Sequence, residues 1–478
     1  MKASRGYLIC LGLTVLMGLL SLVRSPTVES GPQPPEDPLA LAAQVGLNQV
    51  WYVQRGYDRP TASLPPIAPA HFAPRAAPPS PTASLPSMAP TDSAPPARAT
   101  TASTLEPRAY LPVVERGWLE ARALWVTRWD YSTVADVQTL VDNAAGAGFN
   151  LLLFQVRGTA DAFYTPGIEP WGARLSGGTL GQDPGWDPLR TAVEAAHARG
   201  LQVHAYVNVY TTWVGESAPP EGTVPVHLFW ILSHRYDWDD WRAWTSGGPM
   251  LLNPSYLWAT PALDDVVDQA VAVTADLVTR YDVDGVHLDL VRYPGPGYSY
   301  DPFTQAALSQ TGLPRADWQR QRVSYLVGRV YSEVITLRPD LRLSAAVWPV
   351  YKNYWGWVGY SQGYHDYYQD SQGWMLSGIV DAIMPMIYPP DVFTPDQFSV
   401  LVADFMAHAG GRHVFPGISA QNGDFAEVAQ RIAIARQQGA PGHAIFSARL
   451  VAANDFWDEF AAGPYALPAN VPPVTWHP

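Results

Sequence analysis

From about residue 108 onward, short apolar runs of strand-like character take turns with longer segments of helical periodicity, and the alternation repeats eight times. A chain patterned this way builds a parallel sheet with helices packed outside it, because each strand is separated from the next by a helix. The runs are RALWVTRWD (122–130), FNLLLFQVRG (149–158), QVHAYVNVY (202–210), DGVHLDLVRY (284–293), RLSAAVWPV (342–350), DAIMPMIYP (381–389), HVFPGISAQ (413–421) and GHAIFSARL (442–450). Eight such units predict an α/β chain closed as a (β/α)8 TIM barrel. An open doubly wound sheet is the competing arrangement, disfavoured because no glycine-rich phosphate loop follows the first run.

Helix signals between the runs agree with this. Asp187 stands as an N-cap before Pro188, with Gly200 as the stop, and the stretches from Thr394 to Gln397 and from Asp424 to Glu427 read as capping boxes. Asp130 reads as an N-cap with Ser132 as its rival, as an ion-pair partner, or as a functional acid.

The N-terminal quarter is different in kind. Residues 1–25 carry Lys2 and Arg5 ahead of a charge-free apolar run, the layout of a secretory signal or short membrane anchor. Residues 26–58 promise at most one short helix. Residues 59–107 are dominated by Pro, Ala, Ser and Thr, cannot bury enough surface to fold, and read as a disordered, extended linker. The barrel is expected over 108–465, with a tail at 466–478. This layout places the barrel outside the cytoplasm, secreted or anchored to the outer face of the cytoplasmic membrane.

Two inter-element segments, 159–186 and 211 to about 262, far exceed the usual two to six residues. Both leave the C-terminal ends of strands, where barrel active sites are built. They hold many of the 19 tryptophans of the chain, and are expected to wall a groove. A net charge of −13 argues against nucleic acid or anionic membrane as general partners and says nothing against a neutral glycan. The single cysteine, Cys10, leaves the folded region without an internal disulfide or a thiolate metal site.

Side chains of a strand alternate faces, so His287 and Asp289 point one way while Val286, Leu288 and Leu290 point the other. In the run 202–210, His204, Tyr206, Asn208 and Tyr210 share one face. Gln155 and Arg157 are in phase on the second run, and Asp161 and Glu169 follow it. Tyr388 ends the sixth run, with Asp391 three residues on. An axis lined by imidazoles, phenols, amides and carboxylates suits a polyhydroxylated substrate, and hydrolysis of a glycosidic bond requires two carboxyl groups. Asp289 as nucleophile or base with Glu169 as acid is the leading pair. Arg157, Asp161, Asn208, Tyr210, Asn253, His287, Arg292 and Tyr388 are the candidates for holding substrate, with Arg157 reading equally as a clamp on a substrate carboxylate or as an ion-pair partner of Asp289 or Glu169. His287 and Asp289 also read as two of a metal's ligands, yet no third or fourth appears at a telling spacing, so neither metal nor cofactor is expected. The chain lacks G-x-S-x-G and H-E-x-x-H, the marks of serine-hydrolase and zincin chemistry.

The stretches FQVRGTADAFYTPGIEPWGARLSG, HAYVNVY, LLNPSYLW, VDGVHLDLVRYP and MPMIYP together resemble the bacterial glycosyl-hydrolase-like family 10, over 122 to about 440. The resemblance implies an exported TIM-barrel glycosidase acting on bacterial cell-wall glycan, notably strands stripped of peptides. It implies a cleft lined by Arg157, Asp161, Glu169, Asn208, Asn253, His287, Asp289, Arg292 and Tyr388. Some members carry two acids in succession where this chain has Asp289 and Leu290, and GISAQNGD offers no acid before Asp424. The alternative function is a barrel of the cell envelope that binds glycan without cutting it.

Overall fold

The computed structural model describes residues 118–388, 392–421 and 423–477, and within them nine parallel strands form one sheet. These are β1 (Ala121–Val126), β2 (Leu151–Arg157), β3 (Gln202–Asn208), β4 (Gly285–Asp289), β5 (Arg342–Val347), β6 (Ala382–Pro385), β7 (His413–Val414), β8 (Gly417–Ser419) and β9 (Gly442–Phe446). Their spatial order is β7-β6-β5-β4-β3-β2-β1-β9-β8. The two ends of that order are consecutive in the chain, separated by Phe415 and Pro416, and Gly417 bridges to Met386 just beyond β6. The expected seventh strand is thus one run interrupted at Pro416, a residue with no N–H to give a ladder. Its first half pairs with β6 and its second with β9. The sheet curls on itself in a TIM-barrel-like fold.

The main flanking helices are α1 (Val134–Gly146), α2 (Pro188–Ala198), α3 (Asp264–Arg280), α4 (Arg315–Glu333), α5 (Pro395–Ala407), α6 (Phe425–Gln437), α7 (Ala448–Ala453) and α8 (Trp457–Ala462). Asp187 caps α2 by accepting from Arg190 N at 3.0 Å, and Thr394 and Gln397 form the expected capping box of α5. Asp424 caps α6, but Glu427 turns along the helix to Arg431 instead of closing a box. Neither Asp130 nor Ser132 caps α1, because Thr133 does so with Asp136.

Two layers of apolar packing result from strand alternation. Leu152, Phe154, Val203, Val286 and Leu343 face the helices. Inside the curl lie Ala121, Ala123, Leu151, Leu153, Ala382, Met384 and Phe415, closed above by Trp125 and Tyr206. The tail is part of this fold. Ala469 and Asn470 pair in parallel with Trp118 and Leu119, Val471 packs on the inner cluster, and Trp476 donates to buried Asp381 at 2.7 Å.

The signal or anchor at 1–25, the segment 26–58 and the linker 59–107 lie outside the described residues, as does Asp391.

Candidate active site

At the C-terminal end of β4, Asp289 sits beside Asn208 of β3 in register, and its carboxylate is met by two donors. Tyr206 OH donates to Oδ2 at 2.6 Å and Leu290 N to Oδ1 at 2.6 Å. The second bond depends on Leu290 turning to φ +51°, a left-handed conformation that a leucine adopts only at an energetic cost. Burial pushes the Asp289 carboxyl above its usual range, while Tyr206, the Leu290 amide and nearby Arg292 pull it back. The Leu290 side chain itself is in the outer core, facing away from the cleft.

Beneath Asp289 the axis is filled by rings. His287 Nδ1 meets Ser344 Oγ at 2.9 Å, and its ring lies edge-on to Trp125 at 5.7 Å and Tyr206 at 5.5 Å. Burial holds the imidazole down to about 3, so it stays neutral throughout the physiological range. Tyr388 stacks on Phe446 at 5.2 Å, and its hydroxyl is raised by burial and by the charge of Asp289. Asn208 is buried with Oδ1 unpartnered among the described residues. Arg292 is caged by Trp258, Trp348 and Tyr367 at 5.4, 5.2 and 4.9 Å, and its Nε carries no hydrogen bond.

Glu169 corrects the expectation of an open acid. It is 1% exposed, and Arg157 grips both of its oxygens, Nε to Oε2 at 2.7 Å and Nη2 to Oε1 at 2.8 Å. Gln269 of α3 adds a third donor at 3.1 Å. With both oxygens already accepting from these donors, Glu169 presents no free oxygen to a leaving group. Arg157 also donates through Nη1 to the carbonyls of Asn208 and Val209, so the pair ties the 159–186 segment to the end of β3.

Asp161, also buried, follows β2 in the same segment. Thr159 N donates to its Oδ1 at 2.7 Å, and no protein group bonds Oδ2 among the described residues. Ala160, immediately before it, has φ +57°, so both carboxylates of this rim adjoin a strained, non-glycine residue. Burial disfavours the Arg128 cation, Tyr256, Asp161 and Tyr206 more than offset this, and the Arg128 Nη2 donates to Tyr256 OH at 3.1 Å. A Cβ at Gly158 would lie 2.7 Å from that guanidinium, so a side chain here would displace Arg128 from its present path.

Two expected substrate contacts fall elsewhere. Tyr210 is buried in the outer core, since β3 ends at Asn208 and the alternation no longer holds beyond it. Asn253 is at the far end of an antiparallel strand pair, opposite Gly215, where its Oδ1 accepts from Ser255 N. Several rim tryptophans also pack among themselves: Trp241 is fully buried, and Trp230, Trp238 and Trp241 surround or adjoin Phe229. Arg128, Trp125, Tyr256 and Phe446 were not singled out from sequence. The period-two rule applied to the first and eighth runs would have found Trp125 and Phe446, which are in phase with the inner faces.

Replacing Tyr206 with Phe removes the hydroxyl that favours ionised Asp289, so the Asp289 carboxyl rises further. The acidic limb of a pH–rate profile is expected to move to higher pH, with little change on the alkaline side. An unmoved acidic limb would show that Asp289 does not control it.

A family model described as glycosyl hydrolase-like 10 matches residues 120–404. Glycosyl hydrolase DigH of Escherichia coli (strain K12) is 29% identical over 283 residues, 55% of this chain and 59% of that protein. Glycosyl hydrolase YngK of Bacillus subtilis (strain 168) is 26% identical over 365 residues, 70% of this chain and 68% of that protein. The match thus spans less than two thirds of DigH. Among solved structures, the PgaB (BpsB) glycoside hydrolase domain from Bordetella bronchiseptica aligns with TM-score 0.50 at 12% identity, covering 71% of this chain and 97% of that one. That last likeness is one of fold.

Proposed function

We propose that this chain, which belongs to the glycosyl hydrolase-like 10 family, hydrolyses an O-glycosidic bond in a polysaccharide, and that the polysaccharide is bacterial cell-wall glycan. The observation that carries the reading is Asp289: a carboxylate at a strand's C-terminal end, fixed by two donors, over a floor of rings. Relatives named as glycosyl hydrolases support the reaction class.

In this reading Asp289 acts as the nucleophile or the water-activating base, because two hydrogen bonds to its oxygens favour the ionised form. Asp161 takes the role of proton donor in place of Glu169, since its Oδ2 accepts no hydrogen bond from the protein among the described residues, whereas both Glu169 oxygens are occupied. Asn208, His287, Arg292 and Tyr388 shape and orient the sugar site, and Arg157 with Glu169 holds its wall. Residues 1–25 carry the chain out of the cytoplasm.

The loss of Glu169 from the open cleft favours one other reading, a barrel that binds glycan without cutting it. Both are tested by incubating the protein with wall glycan strands, with and without stem peptides, and scoring new reducing ends. Release is expected, strongest on peptide-free strands. Asp161→Asn is expected to lower turnover by about 10²- to 10⁴-fold on a poor leaving group, and much less on an activated aryl glycoside. Binding without release by the unmutated protein would leave the second reading. Full activity in Asp161→Asn with loss in Asp391→Asn would move the acid to Asp391.

A further inference from the structure

Arg292 emerges three residues beyond Asp289, past the C-terminal end of β4. Its backbone is pinned there: Tyr293 N donates to Tyr367 O at 3.1 Å, and the Gln369 amide donates to the carbonyls of Val291 and of Ala346 in β5 at 3.2 Å each. The guanidinium and the Asp289 carboxyl feel each other's charge, which puts the cation next to the proposed catalytic group. The rings of Trp258, Trp348 and Tyr367 fix it, and Nη1 donates to the Tyr293 carbonyl at 3.3 Å.

What Arg292 lacks is an acid of its own. Arg122, Arg157, Arg242 and Arg431, buried to a similar depth, each form an ion pair. Arg292 forms none among the described residues, and the Nε–Nη2 edge of its fork is free. Nε is bonded to nothing, and Nη2, also without a hydrogen bond, keeps contact with solvent. It is the same edge that Arg157 presents to Glu169, two parallel N–H groups spaced for the two oxygens of one carboxylate. Burial disfavours the Arg292 cation, and the fields of Tyr367 and Asp289 do not make up the difference. Arg128, also without an acid of its own, differs, because Tyr256, Asp161 and Tyr206 more than offset its burial.

A ligand carboxylate would complete the Arg292 fork. From this geometry we infer that Arg292 receives a carboxylate carried by a sugar unit in the Asp289 mouth, so that the site selects glycan bearing a free carboxyl group. Wall glycan supplies that group: the lactyl ether of its muramic units ends in a carboxyl that is free where no stem peptide is attached and an amide where one is. The cation has a second task. A carboxylate brought beside ionised Asp289 is repelled, and a chain of net charge −13 gives an anionic glycan no general attraction, so the compensating charge must stand at the site itself. The inference rests on the proposed glycan substrate and names the group by which that substrate is read.

The test uses the full chain and three probes: peptide-free wall glycan strands, the same strands with their carboxyl groups converted to methylamides, and the neutral N-acetylglucosamine hexamer. Turnover is measured as kcat/KM in the active forms, and affinity in an Asp289→Asn background. The parent is expected to favour the free-carboxyl strands over the methylamides by about ten- to a hundredfold. Arg292→Gln is expected to bring that ratio close to one, and Arg292→Lys, which keeps the charge without the fork, to reduce it. Should Arg292→Gln not fold, Arg292→Lys decides the comparison. An equal response of the parent to both kinds of strand overturns the inference, as does a parental ratio retained in either folded variant. If the parent prefers free-carboxyl strands in binding but releases no reducing ends, hydrolysis fails as a reading while the carboxylate site stands. If it cleaves the hexamer as readily as the strands, the glycosidase reading stands and the inference falls.

Discussion

Asp289→Asn is expected to lower reducing-end release by about 10³-fold or more while leaving the protein at least as stable as its parent at pH 7. The kinetic half follows from chemistry: an amide neither attacks an anomeric carbon nor takes a proton from water. The substitution keeps the shape of the side chain, so Tyr206 and the Leu290 turn remain in place, although one of the two donors now faces an NH2 group. The stability half follows from linkage. Burial raises the Asp289 carboxyl above its unfolded value, so the native state holds that proton more tightly. Its favourable contribution is complete below the unfolded pKa and is lost as pH rises through the folded one, leaving at neutral pH a charge held in unfavourable surroundings. Asparagine carries no such charge. A urea midpoint at pH 7 equal to or above the parent's, together with lost turnover, is the signature of a residue kept for chemistry at the expense of stability. Turnover above a tenth of the parent's would remove Asp289 from the centre of the mechanism, and a lower midpoint would make it a structural carboxylate.

What the sequence revealed and what it hid divide along a physical line. Period-two alternation placed His287 and Asp289 on the inner face because β4 continues regularly to Asp289, where its register with Asn208 is fixed. Asp187 and Thr394 were readable as caps because a cap's partner is three residues away. Tyr210 was misplaced by the same alternation, since nothing local announces that β3 stops at Asn208. Glu169 was only partly legible, for a different reason. Its state depends on Arg157, twelve residues distant, where the sequence left a pairing with Glu169, a pairing with Asp289 and a substrate clamp unseparated, and on Gln269, a hundred residues distant, which has no sequence signature. The split of the seventh strand was signalled by Pro416, but which neighbour each half would choose is decided by closure of the whole sheet.

The Arg157–Glu169 pair offers the largest expected effect on folding. Both side chains are 1% exposed, so removing one leaves the other charged and without its partner in a medium that solvates it poorly. Arg157→Met is expected to cost about 3–5 kcal/mol, and Glu169→Gln, which keeps some hydrogen bonds, somewhat less. Burial disfavours the Arg157 cation, and Glu169 more than offsets this, so the guanidinium is bound more firmly than a free one. The informative variant is the double replacement Arg157→Met/Glu169→Leu. If the pair serves stability through its charges, the double variant should be at least as unstable as either single one. If instead the ionic bond roughly balances its own desolvation, the double variant recovers most of the loss, as apolar replacements of buried pairs often do. The second outcome is expected here, with one consequence that stability measurements alone would miss. Arg157 also holds the carbonyls of Asn208 and Val209, so the double variant, though folded, loses the tie between the 159–186 segment and the end of β3 beside Asp289. Urea midpoints near the parent's combined with kcat reduced about tenfold or more would identify the pair as the device that positions the wall of the site. Parental kcat in a stable double variant would reduce it to one structural contact among many.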